Sequence, residues 1–264
     1  MYEEARDSIR RFILFTLPLI SLVLIWQAVC SLDLIKMLPS PLEVAKTLLR
    51  LSFQTQGGWP VLALHLSRSL LRVGAGFALA MVAGIGVGLL MGTNRYADFL
   101  LRPIFSVLLP VPTLAWVPIL LIWTGTGDDT IIIAIFLGGF FSIAYNTATG
   151  VRSIDRDLIL AAKTMGATRW TLFTRVLLPG SMVPVLAGLR LAVGYSWRAL
   201  VGAEMLAAAG WGLGYLVFAA RAFMAVNVMF AGLITIMATG YIMENLLVGS
   251  LEKRTVKKWG MIRI

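Results

Sequence analysis

Apolar residues in this chain are grouped into long runs, and polar residues are concentrated in the segments between them. Each run is close to the ~20 residues that a helix needs to cross a bilayer. Backbone groups in lipid must be paired within their own segment, and the short alternating segments of a membrane β-barrel are absent. The pattern predicts an all-α polytopic membrane protein with six transmembrane helices, at about residues 12–30, 70–91, 100–123, 130–148, 182–208 and 224–248.

The composition also favours a membrane protein over a soluble one. Hydrophobic residues make up 59% of the chain and charged residues 14%, whereas a soluble domain carries about 25% charged residues. We expect one transmembrane domain over residues 1–264, with its core at about 60–250. The first apolar run is long enough to span, and no small-x-small cleavage site follows it, so we interpret it as a retained span and not a signal peptide.

Basic residues are distributed unevenly between the two sides of the predicted spans. With the N-terminus inside, 15 of the 23 Lys and Arg residues fall in inside segments or, for Arg102, at the inner end of a span. Five fall in outside segments, while Arg72, Arg190 and Arg198 fall within spans. Cytoplasmic segments of membrane proteins carry such an excess of Lys and Arg. Both termini and the polar segment between the fourth and fifth spans are therefore predicted to be cytoplasmic.

A shorter amphipathic segment lies between the first two spans. Ser40 is a residue type that caps helices, and Pro41 suits the first helical position. Apolar residues then recur at helical spacing opposite Glu43, Lys46 and Arg50. This pattern predicts a helix that contacts membrane lipid at the outer membrane–water interface.

Glycines recur every four residues in the second span, at Gly84, Gly88 and Gly92. Small residues at this spacing let two helices approach closely. The run 84–88 also has the glycine spacing of a dinucleotide-binding loop, but it lies inside an apolar segment with no strand before it. We therefore interpret these glycines as helix-packing positions.

The third span is interrupted by prolines, at Pro103, Pro110, Pro112 and Pro118, with Trp116 among them. Proline removes a backbone donor and bends a helix. Interrupted helices occur within membranes where they line a cavity or are buried in protein. We predict that Pro112 and Trp116 line a translocation pathway. A kinked helix that serves packing alone is the alternative interpretation.

The fifth span contains charged residues that are costly in a bilayer. Arg190, Trp197 and Glu204 fall within one narrow arc of a helix, and Arg198 points about 80° away from Arg190. Charged side chains in a span normally face the bundle interior and find partners. We predict that these four residues face the translocation pathway, where an arginine meets an anionic solute. The alternative is a structural ion pair, such as Arg198 with Glu204, or one across a subunit interface.

The segment 157–179 combines positive charge with helical spacing between two apolar runs. Its apolar residues can share one helical face, with Lys163 and Arg169 among them. Gly166 is expected to break the helix, and Pro179 to end it before the next apolar run. We interpret the segment as a helix–turn–helix docking surface, with a solvated cytoplasmic loop as the alternative.

Sequence motifs for catalysis are missing from the chain. We find no Walker-type phosphate loop, no zinc-protease motif and no nucleophile elbow. One cysteine, Cys30, and one histidine, His65, exclude an intrachain disulfide framework and a histidine-rich metal site. No catalytic residue, bound cofactor or metal site is therefore predicted. Acidic residues within the spans are nearly absent, so a transporter of this kind would take its energy from another chain.

The docking segment resembles the EAA loop of bacterial ABC importer permeases. LAAKTMG at 160–166 and VLLP at 176–179 match the pattern EAAxxxG, a gap, then IxLP. Leu160 occupies the glutamate position and cannot make that residue's polar contacts. The resemblance implies a coupling loop at about 153–179. The residues that it implies for contact with an ATPase are Leu160, Ala161, Ala162, Gly166, Ala167, Arg169 and Pro179.

Other segments resemble one branch of these permeases, the sulfonate, taurine and nitrate type. The resemblance covers about residues 38–250. The matching motifs are LPSP at 38–41, SLLRV at 69–73, PVP at 110–112, AWVP at 115–118, GLR at 188–190 and AEM at 203–205.

The resemblance implies the type I ABC importer permease fold in a bacterial inner membrane. Two permease copies would work with two ATPase subunits and a periplasmic or extracellular solute-binding protein, without nucleic acid. ATP and Mg²⁺ would bind to the ATPases. When the ATPases close on ATP, the EAA helices would move together and switch the permease from inward- to outward-facing.

On this resemblance, the solute is expected to be a small anion, taurine or another aliphatic sulfonate first and nitrate second. The same importer class acting on an uncharged or heterocyclic solute is an alternative. A self-sufficient channel or ion-coupled carrier is another, and the docking loop and the scarcity of intramembrane carboxylates argue against it. A membrane scaffold would need neither the broken, charged helices nor the EAA spacing.

Overall fold

The computed structural model describes residues 2–245, with side chains described for Leu14 and for residues 16–245. The predicted cytoplasmic C-terminus and the end of the sixth predicted span, 246–248, lie outside the described residues, as do the side chains of the basic N-terminal residues. The α-helices are α1 (Tyr2–Ser31), α2 (Pro41–Phe53), α3 (Val61–Thr93), α4 (Arg95–Leu108), α5 (Val117–Thr124), α6 (Asp128–Arg152), α7 (Arg156–Thr164), α8 (Arg169–Leu172), α9 (Leu178–Gly180), α10 (Met182–Ala207), α11 (Leu213–Ala222) and α12 (Val226–Met243).

Four short elements complete this description. Strands β1 (Thr55–Gln56) and β2 (Trp59–Pro60) form an antiparallel hairpin between α2 and α3. A 3₁₀ helix, Thr113–Trp116, precedes α5, and a π-helix, Phe173–Leu177, joins α8 to α9. The all-α polytopic class predicted from the sequence is confirmed.

Within the described part of the chain, three helices, α3, α6 and α12, are long and apolar enough to cross a membrane. Two bent pairs could each form a further span: α4 with Thr113–Thr124, bent by 91°, and Arg169–Gly180 with α10, bent by 55°. The described apolar part of α1, Thr16–Ser31, is shorter. These helices are consistent with the six predicted spans, and the span count and the sides of the termini stay predictions.

The start of α2 confirms the predicted cap. The Ser40 backbone N–H donates to Oε2 of Glu43 at 2.9 Å, and the Glu43 backbone N–H donates to Oγ of Ser40 at 3.3 Å. This reciprocal pair is a capping box, which satisfies two backbone donors that a helix start leaves free. Pro41 has no N–H to satisfy at this position. The local sequence thus fixes where this helix begins.

Packing divides the described residues into two compact units: residues 2–63 with 216–234, and residues 64–215 with 235–245. The first unit has an apolar core in which Val44, Val61 and Ala231 are buried. The ring of Trp26 lies 5.5 Å from that of Phe230 and strengthens this core. The single transmembrane domain expected from the sequence stays a prediction.

In the second unit, α3 packs closely against α6 through glycines. A Cβ atom placed on Gly88 would lie 2.5 Å from Cβ of Thr147 and 2.6 Å from the carbonyl oxygen of Ala144. Gly84 and Gly92 meet α6 residues at similarly short distances. The interpretation of these glycines as packing positions is confirmed, because no larger residue fits at this helix separation.

Replacement of Gly88 by valine is expected to lower the thermal unfolding midpoint of the purified protein. The added atoms must displace the Thr147 side chain and the Ala144 backbone, and overpacking of this kind costs about 1–3 kcal/mol. Gly86→Val is the matched control, because it lies on the same helix and a Cβ there has no neighbour within 4 Å. Equal midpoints for the two variants would contradict the assigned packing.

Helices α6 and α10 form the other close pair of this unit. A Cβ atom on Gly139 would lie 2.8 Å from Oγ of Ser196, and one on Gly188 would lie 2.7 Å from Cβ of Asn146. The Ser196 hydroxyl donates to the carbonyl oxygen of Ile135 at 3.1 Å. Small residues on both helices permit this approach and hold α6 and α10 in a fixed register.

Candidate functional site

A cavity of about 720 Å³ lies among α4, α6, α10 and the chain that joins α4 to α5. Its lining is largely apolar and aromatic and includes Phe105, Pro112, Trp116, Phe141 and Leu191. Neutral polar groups interrupt this lining, and none of the described residues that form it is charged. The cavity therefore offers apolar contact and hydrogen bonds, without a charge in its lining.

Prolines shape one side of the cavity. Helix α4 ends at Leu108, and the chain then turns through Pro110 and Pro112 into the 3₁₀ helix. Neither proline has a backbone N–H, so the α4 hydrogen-bond pattern cannot continue through them. The apolar run 100–123, predicted as one bendable span, is therefore two helices at 91°. This break brings Pro112 and Trp116 into the cavity lining.

Helices α6 and α10 supply much of the polar lining. Ser142, Tyr145 and Asn146 come from α6, and Tyr195 comes from α10. The Asn146 side-chain amide donates to the carbonyl oxygen of Ser142 at 2.8 Å. This hydrogen bond holds the Asn146 side chain along its own helix, beside the cavity.

Arg198 lies next to a residue of the cavity lining. Its Nε donates to the carbonyl oxygen of Gly194 at 2.9 Å, and its guanidinium lies 5.0 Å from the centre of the Tyr195 ring. The side chain is exposed in the isolated chain. Arg190 is also exposed, one turn closer to the start of α10 than Gly194. Neither arginine is itself part of the lining.

Glu204 and Trp197 are buried away from the cavity lining. Trp197 is 8% exposed, and its indole nitrogen lies against the backbone of Gly240 on α12. Glu204 is 0% exposed and forms a salt bridge of 2.8 Å with Nη1 of Arg72. The ion pair of Glu204 with Arg198, considered from the sequence, is thus wrong, because Arg72 on α3 takes that place.

Glu204 belongs to a buried polar cluster that we call the Arg72 cluster. The Ser69 hydroxyl donates to the Glu204 carboxylate at 2.8 and 2.9 Å, and the Gly214 backbone N–H donates to it at 2.9 Å. Arg72 also donates to the carbonyl oxygen of Trp211 at 2.6 Å, and its Nη2 lies 2.7 Å from Oδ1 of Asp128. The cluster therefore ties together α3, the start of α6, α10 and the loop after α10.

His65 extends this cluster along α3. Its Nδ1 lies 2.7 Å from the carbonyl oxygen of Gly212 and 3.1 Å from the backbone nitrogen of the same residue. A Cβ atom on Gly212 would lie within 2.5–2.7 Å of the Glu204 carboxylate, and its φ of +148 suits glycine. Sequence reasoning missed His65, Ser69 and Asp128, although the Arg72 charge within a span could have indicated the cluster.

The segment 156–180 folds as the helix–turn–helix that the sequence predicts. Helix α7 is capped by Asp155 and ends at Thr164. Gly166 has φ +81, which a residue with a side chain adopts at a cost. Helix α8 then begins after its cap, Thr168. The predicted break at Gly166 is confirmed.

The surface of this segment carries exposed apolar and basic side chains. Ala162, on α7, is buried. The predicted coupling residues Leu160, Ala161 and Arg169 are exposed, and Ala167 is half-buried. Leu158, Leu160, Met165 and Trp170 are between 54% and 82% exposed. Exposed apolar surface of this extent, on a segment outside the predicted spans, is typical of an interaction site.

Pro179 lies at the end of the helical segment that begins at Arg169. The π-helix Phe173–Leu177 continues into α9, which contains Pro179 and ends at Gly180, and the chain bends by 55° before α10 begins at Met182. The predicted helix end at Pro179 is therefore confirmed to within one residue, whereas the π-helix before it was not predicted.

Comparison with known proteins gives a consistent result. Residues 80–257 match the family described as binding-protein-dependent transport system inner membrane component. The chain is 36% identical over 225 residues to the taurine transport system permease protein TauC of Escherichia coli (strain K12), covering 84% of this chain and 82% of TauC.

Two further relatives have different named solutes. The putative aliphatic sulfonates transport permease protein SsuC of Bacillus subtilis is 31% identical over 240 residues, covering 90% of this chain and 84% of SsuC. The nitrate import permease protein NrtB of Synechocystis is 33% identical over 201 residues, covering 75% of this chain and 72% of NrtB.

A solved chain of the MetNI methionine ABC transporter, in an inward-facing conformation, has the same fold. Its TM-score is 0.60 at 20% identity, and the match covers 72% of this chain and 95% of that one. At this identity the likeness establishes the fold alone.

Proposed function

Because this chain belongs to the family of binding-protein-dependent transport system inner membrane components, we propose that it is the solute-translocating subunit of an ATP-driven importer for a small anion. The family consists of non-catalytic permeases of ABC importers located in the inner membrane. Taurine or another aliphatic sulfonate is the proposed solute, and nitrate is the second candidate. Relatives named for all three support this range.

The observation that carries the proposal is the exposed helix–turn–helix at 156–180. The apolar side chains of Leu160, Met165 and Trp170 are exposed on a segment predicted to be cytoplasmic. They suit a groove on an ATPase subunit, with Arg169 placed to pair with acidic groups on the rim. ATP and Mg²⁺ would bind to that partner.

The connection from this segment to α10 gives a physical route for coupling. The π-helix and α9 lead directly into α10, and α10 contributes Leu191 and Tyr195 to the cavity lining. A packed helix pair shifts as a rigid body between discrete arrangements. A displacement of α7 and α8 by the ATPase would therefore be passed to the cavity wall through α10.

The proposed assembly has two copies of this chain, two ATPase subunits and an external solute-binding protein. The permease architecture shared with the MetNI chain and the family description support these partners. Solute would pass from the binding protein into the cavity bounded by the broken α4–α5 pair. Exposed apolar residues on the spans would contact membrane lipid.

ATP hydrolysis by the reconstituted complex tests this proposal. The permease would be co-expressed with its ATPase, placed in nanodiscs and assayed with a binding protein that carries taurine, another sulfonate or nitrate. Stimulation by one loaded protein supports the importer and identifies the solute class. An uncharged or heterocyclic solute would be indicated if only such a loaded protein stimulates hydrolysis.

The competing function, a carrier that needs no ATP, predicts a different result. Liposomes that contain this chain alone would then take up solute, and the chain would not co-purify with an ATPase. We expect no uptake without the ATPase, because Glu204, the acidic residue within the fifth predicted span, is paired with Arg72.

A further inference from the structure

The cavity and Arg198 together have features that distinguish between the candidate solutes. This inference rests on the proposed import function and concerns which anion the translocation cavity accepts. The volume of about 720 Å³ is far larger than an inorganic anion needs. Much of the lining near Trp116, Phe141 and Leu191 is apolar.

An apolar lining is unfavourable for a bare inorganic anion. A small anion such as nitrate carries its charge over its whole surface and loses hydration wherever it touches an apolar wall. Burial of an unpaired charge is costly, and the described lining residues include no cation to offset that cost. An anion with an apolar body can instead place that body on the wall and keep its charged group elsewhere.

Arg198 is a cation that contacts a residue of the cavity lining, Tyr195. It lies in the middle of α10, a predicted span, where an arginine costs free energy of insertion unless it faces polar surroundings or a partner. Its side chain bends back toward the start of the helix, hydrogen-bonds the carbonyl oxygen of Gly194, and stacks on Tyr195. Since Tyr195 lines the cavity, the Arg198 guanidinium contacts the ring of a residue that a solute in the cavity would also contact.

The Arg198 guanidinium keeps donors for a further partner. Its Nε donates to Gly194, and a guanidinium has five N–H donors in a planar fork. Such a fork matches the oxygens of an oxyanion in geometry and in charge. The Tyr195 ring beneath it holds the guanidinium plane and limits the entropy lost when an anion binds.

We propose that the cavity selects organic oxyanions with an apolar body, such as alkanesulfonates, over inorganic anions such as nitrate and bicarbonate. Arg198 binds the anionic head, with Tyr195 positioning the guanidinium. Trp116, Phe141 and Leu191 contact the apolar body. The neutral polar residues of α6 that line the cavity, Ser142, Tyr145 and Asn146, hydrogen-bond other polar atoms of the solute.

Direct binding to the permease tests this selectivity without the binding protein. The complex of permease and ATPase in nanodiscs would be equilibrated with radiolabelled butanesulfonate, with unlabelled nitrate or bicarbonate as competitors. We expect saturable binding that nitrate and bicarbonate do not displace at the concentration where unlabelled butanesulfonate does. Displacement by nitrate at equal concentration would overturn the proposed selectivity.

Substitutions then locate the head and body contacts. Arg198→Gln is expected to weaken butanesulfonate binding about tenfold or more, because a charge-assisted hydrogen bond to the head is lost. Arg198→Lys should weaken it less, and Trp116→Ala should weaken it while the residual binding stays sensitive to Arg198. Arg221→Gln is the matched control, because Arg221 also stacks on a ring three residues earlier, 5.9 Å from Phe218, and is not part of the lining.

These outcomes separate the inference from the proposed function. Unchanged binding in Arg198→Gln would overturn the role of Arg198, whatever the ATPase activity shows. If a loaded binding protein still stimulates hydrolysis while the cavity binds no butanesulfonate, the chain remains an importer subunit and only the cavity selectivity is wrong. Each variant elutes as the assembled complex if it folds, which size-exclusion chromatography shows.

Discussion

Replacement of Arg72 by methionine is expected to cause the largest loss of stability of any single change at the Arg72 cluster. Glu204 is 0% exposed, and Arg72 is its cationic partner at 2.8 Å. Removal of one partner of a buried ion pair leaves the other charge uncompensated and costs about 3–5 kcal/mol. The Trp211 carbonyl and Asp128 would also lose their bonds to the guanidinium. We expect a sharp fall in folded protein and in the thermal unfolding midpoint.

Two further variants identify the cause of that loss. Arg72→Met combined with Glu204→Gln removes both charges, so it should recover part of the lost stability. Arg68→Met is the matched control, because Arg68 is an exposed arginine one turn earlier on the same helix. If Arg72→Met unfolds at the midpoint of Arg68→Met, the cluster does not stabilise this fold. If the double variant is no more stable than Arg72→Met, the uncompensated charge is not the cause.

Replacement of Gly166 by tryptophan is expected to have the largest effect on transport. Nothing lies within 4 Å of a Cβ atom at Gly166, so a large side chain would project from the turn between α7 and α8, which is the surface proposed to contact the ATPase. We expect uptake to fall about tenfold or more, with ATP hydrolysis no longer stimulated by the loaded binding protein, because a displaced interface cannot transmit the closing motion. The measurements are solute uptake and stimulated hydrolysis in the reconstituted complex.

Gly166→Ala separates bulk from backbone strain. Its φ of +81 disfavours any side chain by about 1–2 kcal/mol, so both variants carry the strain and only tryptophan carries the bulk. We expect alanine to retain most of the uptake. Ala162 is a poorer site for this test, because it is buried and a large residue there would disturb the fold of α7 itself. Uptake at the wild-type level in Gly166→Trp would contradict the docking of this turn on the ATPase.

The sequence was informative wherever the cause of a structure is local. Ser40 and Glu43 form the predicted cap because both lie within one helical turn. Gly84 and Gly88 face a neighbouring helix as their four-residue spacing indicated. The break at Gly166 also follows from its own backbone conformation. In each case the residues that determine the structure lie close together in the chain.

The same local reasoning failed where distant residues meet. In the sequence, Arg198 lies six residues from Glu204, and Arg72 lies in a different predicted span. Local reasoning therefore suggests Arg198 as the partner of Glu204. The structure selects Arg72, which is 132 positions away, because α3 and α10 bring the two side chains together.

By itself, therefore, the sequence determined the all-helical membrane class, the helix starts and breaks, and the family through the spacing of its EAA-like motif. These properties depend on apolar run length and on neighbours within a few residues, which a linear pattern contains. Only the tertiary structure decided that Pro112, Trp116 and Tyr195 surround one cavity while Glu204 is buried elsewhere. Helix packing sets which faces meet, and it depends on side-chain contacts between segments that the sequence keeps far apart.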